Sequence, residues 1–529
     1  MKEPTLIAAV DCGSNSFRLL IGRVVETSHG KQVYPLDSLK ETVRLAAGLS
    51  KDKMLDDAAF DRGLQALARF GERLRSFRPD QVRAVATNTL RVARNAPSFL
   101  RQAEDVLGFP LEVIAGREEA RLVYVGVSHA LPLMTNGSTN VDEHDGSRLV
   151  VDIGGGSTEF VIGQGFEPDL MESLYMGCVS WSRNFFPDGE IDRHCLKEAE
   201  LAAQREISVI AKSYRARGWD QAVGSAGTAN ALAEIIRLNN LGGSGSLPEG
   251  VITRQGMDAL RHELLRAGNM NRLKLEGAKP DRLPVLPGGF AIMSAVFSEL
   301  GIERMETCDN ALRLGVMYDL IGRSTQHDMR SITAAQFQER YSVDRAQAAR
   351  VGELASRLFQ SANLLNGEAL EEAIQYLRWA GDLHEVGLSI SHAGYHKHSA
   401  YIVTHADMPG FSRKEQSEIA TLILGHAGKL PKVQSSFEGK NKARAVSMHD
   451  WAKIACLRLA ALLFRRRVDV ELAPVSLKIA EEKIFTLDFA GDWLERHPLT
   501  AYTLEQEVAE WARVGISLVL QSHAEVEHA

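Results

Sequence analysis

The sequence predicts two consecutive α/β domains of one design around a shared cleft, then a mainly helical domain and a small α+β lobe; three observations carry this. The apolar run 6–10 ends in Asp11-Cys12-Gly13-Ser14-Asn15-Ser16, and the run 149–151 ends in Asp152-Ile153-Gly154-Gly155-Gly156-Ser157-Thr158-Glu159. Strand-like and helix-like runs alternate up to about residue 239. Beyond about Gly322 the strand-like runs give way to helical periodicity.

In chain order, strands are expected at 6–10, 17–25, 82–86 and 111–114, and helices at 57–77, 97–107 and 118–128. A polar, loop-like stretch at 132–147 separates this set from a second, with strands at 148–153 and 159–162 and helices at 196–217 and 229–239. The stretches 241–250 and 279–289 are rich in Gly and Pro and read as exposed connections. Helices follow at 334–338, 344–365, 368–384, 414–425 and 449–466; the last stretch mixes strands at 476–479 and 484–489 with a helix at 505–521. Domain limits are expected at 1–131, 132–322, 323–474 and 475–529.

Composition narrows the class. A hydrophobic share of 45% with 24% charged residues is that of a soluble globular protein, and no run approaches the ~20 uncharged residues needed to cross a bilayer. A cytoplasmic protein is expected. The cysteines, at 12, 178, 195, 308 and 456, form no Cys-x-x-Cys pair, which argues against a zinc ribbon or a disulfide framework. A net charge of −7 argues against general nucleic-acid binding, so a polyanion would need a local basic surface.

The small-residue turns are built for phosphate. Glycines let successive backbone N–H groups converge on one oxygen cluster, hydroxyls add donors, and a nearby Asp can hold a divalent cation. A third such turn, Gly224-Ser225-Ala226-Gly227-Thr228, follows a short apolar run and precedes a helix. Any one of them could be an ordinary tight turn; three in order, each at a strand end, point to phosphate chemistry.

The turns resemble those of the actin, sugar-kinase and heat-shock ATPase superfamily, whose fold is a pair of ribonuclease H-like domains gripping a phosphate chain. A narrower set of motifs resembles the exopolyphosphatase and guanosine-pentaphosphate phosphohydrolase family in its long form. These are Asp11-Cys-Gly-Ser-Asn-Ser-Phe17, Ala86-Thr-Asn-Thr-Leu-Arg91, Ile114-Ala-Gly-Arg-Glu-Glu-Ala-Arg121, Asp152 to Glu159, Met176-Gly-Cys-Val-Ser180 and Gly224 to Thr228. Leu383-His-Glu-Val-Gly-Leu388 and His398-Ser-Ala-Tyr-Ile402 extend the likeness into the helical part.

By themselves, Glu118 and Glu119 serve equally well as favourable charges at a helix N-terminus. The resemblance implies that Glu119 is the catalytic base acting on water. Asp152 is either a turn cap or a magnesium ligand, with Glu159 assisting and Asp11 sharing the task from the first half. Phosphate oxygens would be held by Gly13, Ser14, Asn15, Gly155, Gly156, Ser157 and Thr158, with Arg91 adding a bidentate cation; the alternative for Arg91 is a solvent-facing helix residue. Ser225, Gly227 and Thr228 stand where nucleotide-using relatives contact the nucleoside or adjacent phosphates.

In the helical part, His384 reads either as a core histidine or as a ligand, with the core reading favoured. His384-Glu385 stands where HD-type metal phosphohydrolases carry His-Asp, yet no His near Val351 and no Asp in 459–463 completes such a site, so an HD-like domain without its metal is expected. A basic stretch contains Lys429, Lys432, Lys440, Lys442, Arg444, Arg465, Arg466 and Arg467. It is either a solvated surface or a track for the distal part of a polyphosphate, giving processive cleavage.

The expected activity is release of orthophosphate from the end of inorganic polyphosphate with Mg2+, with guanosine pentaphosphate hydrolysis as the alternative and a homodimer as the assembly the resemblance implies. A sugar or acid kinase would need an acceptor site and an adenosine pocket. A non-hydrolytic switch or polyphosphate sensor would have no turnover to lose on Glu119→Gln.

Overall fold

The computed structural model describes residues 5–27, 30–131, 146–242, 247–323, 328–434, 447–468, 475–480 and 483–523. The chain divides into two compact units, Met1–Asp328 and Met329–Ala529.

The first unit holds two sheets. In the first, β1 (Thr5–Cys12), β2 (Ser16–Thr27) and β3 (Gly30–Thr42) form an antiparallel meander, and β4 (Val82–Ala86) and β5 (Leu111–Val113) add in parallel beside β1, giving the order β3-β2-β1-β4-β5. The second repeats the plan: β6 (Ser147–Ile153), β7 (Thr158–Gln164) and β8 (Glu167–Leu174) form the meander. There β9 (Gln221–Ser225), β10 (Val251–Thr253) and β11 (Arg304–Cys308) complete the order β10-β11-β9-β6-β7-β8. Both are ribonuclease H-like, so the duplication read from the two Asp-led turns is a duplication of whole sheets.

Helices of the first half are α1 (Asp57–Leu74), α2 (Asn88–Val92), α3 (Ala96–Leu107) and α4 (Gly116–Ala130). Those of the second are α5 (Cys178–Phe185), α6 (Arg193–Arg217), α7 (Ala226–Leu238), α8 (Arg254–Ala267), α9 (Leu286–Leu300) and α10 (Ala311–Arg323). From Leu6 to Val10, β1 is apolar without a break because both its faces are covered. Ala8, Val10 and Cys12 pack with α1 and α3, whereas Ile7 and Ala9 pack with Leu122 of α4 and with Val316 and Met317 of α10. One residue further along α4, Val123 packs with Val150, Val161 and Val223 of the second sheet. The helix therefore lies between the two sheets. It crosses α10 almost backbone on backbone: a methyl on Gly126 would overlap the Ala311 carbonyl, and one on Gly315 the Leu122 carbonyl.

Several elements were not legible locally. β3 is a charged strand interrupted by Pro35 with a bulge opposite Ile21 and Gly22, so it shows no clean alternation. The stretch 279–289, expected as a loop, runs into α9. Pro287 lies in its first turn, where no amide donor is needed, and Gly288 admits the backbone of α5, since a methyl there would come 2.5 Å from Ser182 N. Leu283–Leu300 also corrects the reading that no apolar run approaches membrane length; 67% of it is buried within the fold. Residues 132–145 and 243–246, inside two of the expected connections, lie outside the described residues.

The second unit contains helices Met329–Arg340, Arg345–Ser361, Glu368–Leu383, Tyr395–His405, Arg413–Gly425 and Met448–Leu463. A small sheet, β12 (Val475–Ala480), β13 (Ile484–Ala490) and β14 (Ser517–His523), shares their core through Leu477, Phe485, Leu487 and Leu518. The helix expected at 505–521 stops early: Pro498–Ala512 is helical, Gly515 takes a positive φ of 73°, and the chain leaves as β14, parallel to β13. The short apolar run Leu518-Val-Leu520 has no alternation of its own that separates it from the preceding helical pattern.

Candidate active site

The first two turns meet. A Cβ on Gly155 would come within 2.9 Å of the Ser14 Cβ and 3.4 Å of the Asn15 amide, and one on Gly156 within 2.5 Å of Asn88 Oδ1. Only glycine lets the second loop come this close to the first. Ser14 is buried and receives a 2.8 Å hydrogen bond from Thr89 Oγ1. Gly154 N–H donates to Ser157 O (2.9 Å), and Gly155 O accepts from Val179 N (3.0 Å), which pins the second loop onto α5. The third turn joins them, because Ser225 Oγ donates to Asp152 Oδ2 at 2.9 Å. Ala226 within it takes a left-handed φ of 64°, a conformation that is costly for a residue with a Cβ.

One cleft is lined by Asp11, Glu119 and Asp152 together with Gly13, Ser14, Asn15, Gly155, Ser157, Ser225 and Gly227. Glu119 stands in the first turn of α4, 7% exposed, with Arg91 Nη1 3.3 Å from its Oε2. Burial pushes its pKa up to about 7, against the pull of Arg91 and with the push of Asp152 and Asp11. Asp152 is pushed up to about 6 by burial and by Asp11, although the Ser225 hydrogen bond opposes the rise. Asp11 is raised by burial, opposed by Arg313 and Arg18, and its Oδ1 is buried without a hydrogen-bond partner among the described residues. Three carboxylates face one space, each disfavoured as an anion, one with an orphaned oxygen. A divalent cation fits there on chemical grounds. Among the described residues no three His, Cys, Asp or Glu side chains are already gathered as a ligand set, so such an ion would draw on few carboxylates and keep water or phosphate oxygens.

Other expected site residues sit behind this wall. Glu159 pairs across the sheet with Ser173, whose Oγ donates to its Oε1 at 2.8 Å, and burial followed by Glu119 and Asp152 raises it well above the usual range. Arg91 donates to Ile114 O at 2.8 Å besides pairing with Glu119, so it braces the candidate base. Thr158 donates to Met176 O at 2.6 Å and Thr228 to Ile153 O at 3.2 Å; both hydroxyls hold loop backbone.

The cleft also contains Arg18, Arg282 and Arg313, which motif reading missed. Arg18 was recoverable. In the β1–β2 hairpin it lies directly opposite Asp11, and directly opposed residues of an antiparallel pair share a face. Arg282 and Arg313 come from distant parts of the chain with no local signature. Arg313 is 5% exposed, its Nε has no hydrogen-bond partner among the described residues, and burial with Arg18 pulls its pKa down to about 10. A desolvated cation of this kind is matched to an anion.

In the second unit, His384 is a buried core residue: its Nδ1 lies 2.6 Å from Gly381 O, its ring meets that of His426 edge-on, and burial lowers it to about 4. Of the basic stretch, Lys429, Lys432, Arg465 and Arg466 are exposed. Arg467 is engaged by Glu385 and by Asp344 (3.4 Å), which makes it part of the fold. Lys440, Lys442 and Arg444 lie outside the described residues.

Two ribonuclease H-like halves that bring paired glycine turns, buried carboxylates and arginines to one cleft define a phosphate-handling protein of the actin-like class. The chain belongs to the Ppx/GppA phosphatase family: that family's model matches residues 23–324, and the model of Ppx/GppA phosphatase domain III matches 329–508. It is a hydrolase of that family. Among solved structures, it is similar to an exopolyphosphatase from Cytophaga hutchinsonii, at 24% identity and a TM-score of 0.52 over 60% of this chain and 98% of that one. It is also similar to the PPX-GPPA enzyme of Aquifex aeolicus, at 24% identity and a TM-score of 0.48 over 59% and 98% of the two chains.

Proposed function

We propose that the protein is an exopolyphosphatase that releases orthophosphate from the end of linear inorganic polyphosphate, with Glu119 as the general base. The observation that carries this reading is the placing of Glu119 on the cleft wall with Asp11 and Asp152, pushed up to about 7. A base with that value is half ionised near neutral pH, where proton abstraction from water is best driven. Glu119 would take the proton of a water whose oxygen bonds to the terminal phosphorus as the bridging P–O bond breaks. Amides of the two glycine turns and the Arg313 and Arg18 guanidinium groups would hold the chain's oxygens. Asp11 and Asp152 would hold a magnesium ion, which when bound supplies charge neutralisation for the phosphate oxygens.

The test is orthophosphate release from long polyphosphate, tripolyphosphate and guanosine pentaphosphate in parallel, with and without magnesium. Magnesium-dependent release from polyphosphate at a higher kcat/KM than from guanosine pentaphosphate is the expected result. Release from guanosine pentaphosphate alone would overturn the substrate assignment, and loss of magnesium dependence would remove the metal from the site.

A further inference from the structure

Glu118, the neighbour of Glu119 in the first turn of α4, faces the other way. Its side chain is fully buried, and both its oxygens accept from Arg121, from Nε and Nη2, at 2.8 Å. Arg121 also binds Asp319 of α10, and Asp319 accepts from Arg83 of β4 at 2.7 Å and from Arg323 at 3.2 Å. Arg83 closes the set on Glu112 of β5 at 3.1 Å and stands 3.8 Å from Glu118. Three arginines and three acids thus balance in the interior. The arginines beside Asp319 hold its carboxyl well below the usual range.

Six charges withdrawn from water are a poor way to stabilise a core, because hydrophobic residues of similar volume do as well or better; what such a set can supply is a single geometry. Here the geometry bears on Glu119. Successive residues of an α-helix are ~100° apart; the forked Glu118–Arg121 bond lies within α4, so it is the tie from Arg121 to Asp319 of α10, with Arg83 of β4 3.8 Å from Glu118, that sets the rotation at which Glu119 meets the cleft. A carboxylate ~6 Å from the helix axis moves by ~2 Å when the helix turns through ~20°. Misplacement of a reacting group by ~1 Å costs on the order of a hundredfold in rate. β4 leads directly into α2, which carries Arg91, the partner of Glu119. The same network therefore anchors both Glu119 and the arginine that braces it.

We propose that Asp319 and Glu118 are positioning residues: through Arg121 and Arg83 they lock the rotation of α4 and so aim Glu119. The proposal rests on the reading of Glu119 as base, and the experiment separates the two. Asp319→Asn, Glu119→Gln and the double variant are assayed for kcat and KM on tripolyphosphate with magnesium, at least ten degrees below each variant's melting midpoint. Asp319→Asn is expected to lower kcat by about 10- to 100-fold while KM changes by less than about threefold. In the Glu119→Gln background the same change is expected to shift the residual turnover by less than about twofold, because the group being aimed is gone. Arg261→Gln, which breaks a part-buried pair with Glu200 (2.5 Å) elsewhere in the unit, serves as the control and is expected to lower the melting midpoint without changing kcat.

If Asp319→Asn does not fold, Glu118→Gln carries the same cycle, and Glu112→Gln at the more exposed edge of the network gives a graded version. An unchanged kcat, or an equal loss in both backgrounds, overturns the positioning role while leaving Glu119 as the base. Retained turnover in Glu119→Gln overturns both.

Discussion

Replacing Glu119 by glutamine should make the enzyme slower by orders of magnitude and, above neutral pH, more stable. The rise from the usual glutamate value of 4.5 to about 7 means that the native fold disfavours the ionised carboxylate by about 3 kcal/mol. The sign follows from proton binding. Between about 4.5 and 7 the folded chain holds a proton on Glu119 that the unfolded chain has lost, so stability falls as pH rises through this window. Glutamine is neutral throughout and can still accept from Arg91. Its advantage should be absent at pH 4, grow through the window, and level off above about pH 8 at up to about 3 kcal/mol, less whatever the weaker Arg91 contact costs. Turnover should fall by about 10^2 to 10^4, the usual contribution of a positioned general base. The assay is orthophosphate release together with urea unfolding of both proteins at pH 5 and pH 8.5 in metal-free buffer. A variant less stable than the parent at pH 8.5 would refute the desolvation argument, and one that retains more than a tenth of the turnover would refute the role of the carboxylate.

Three further outcomes can be checked. Arg313→Met removes a buried guanidinium that lacks a partner at Nε among the described residues, so the ligand-free protein should keep its melting midpoint within a few degrees while KM for polyphosphate rises by about tenfold or more; an unchanged KM would take Arg313 out of the substrate site. Gly126→Ala would press a methyl into the Ala311 carbonyl where α4 crosses α10 and should cost at least about 2 kcal/mol in urea unfolding, against the mild gain usual for Gly→Ala in a helix. Reversing the exposed charges in Arg465→Glu/Arg466→Glu should raise KM for long polyphosphate much more than for tripolyphosphate, most visibly at low salt; equal effects on both substrates would reject a basic track.

The duplication, the three phosphate turns and the Glu118-Glu119 pair were legible in the sequence because each is a local device. A strand running into a Gly-rich loop, or two acids opening a helix, needs only neighbouring residues to be recognised. For the same reason β3, α9 and β14 were missed or misplaced: an edge strand with a bulge, a helix opening with Pro and Gly, and a strand following a helix each depart from local periodicity and are held by partners distant in sequence.

By itself, the sequence determined the repeated α/β plan and, through the resemblance its motifs carry, the family, since these rest on short runs whose spacing carries their meaning; between Glu118 and Glu119 the residues alone did not choose, and only that resemblance pointed to Glu119. Only the tertiary structure decided which side chains share the cleft. It turned Glu159 toward Ser173 and Arg91 toward Glu119, and it brought in Arg282 and Arg313 from parts of the chain far from the turns they face. It also buried Glu118 in a network of charges while leaving its neighbour at the cleft wall. Side chains one residue apart on a helix point in different directions, and what each one meets is set largely by elements distant in the sequence, which no local pattern records.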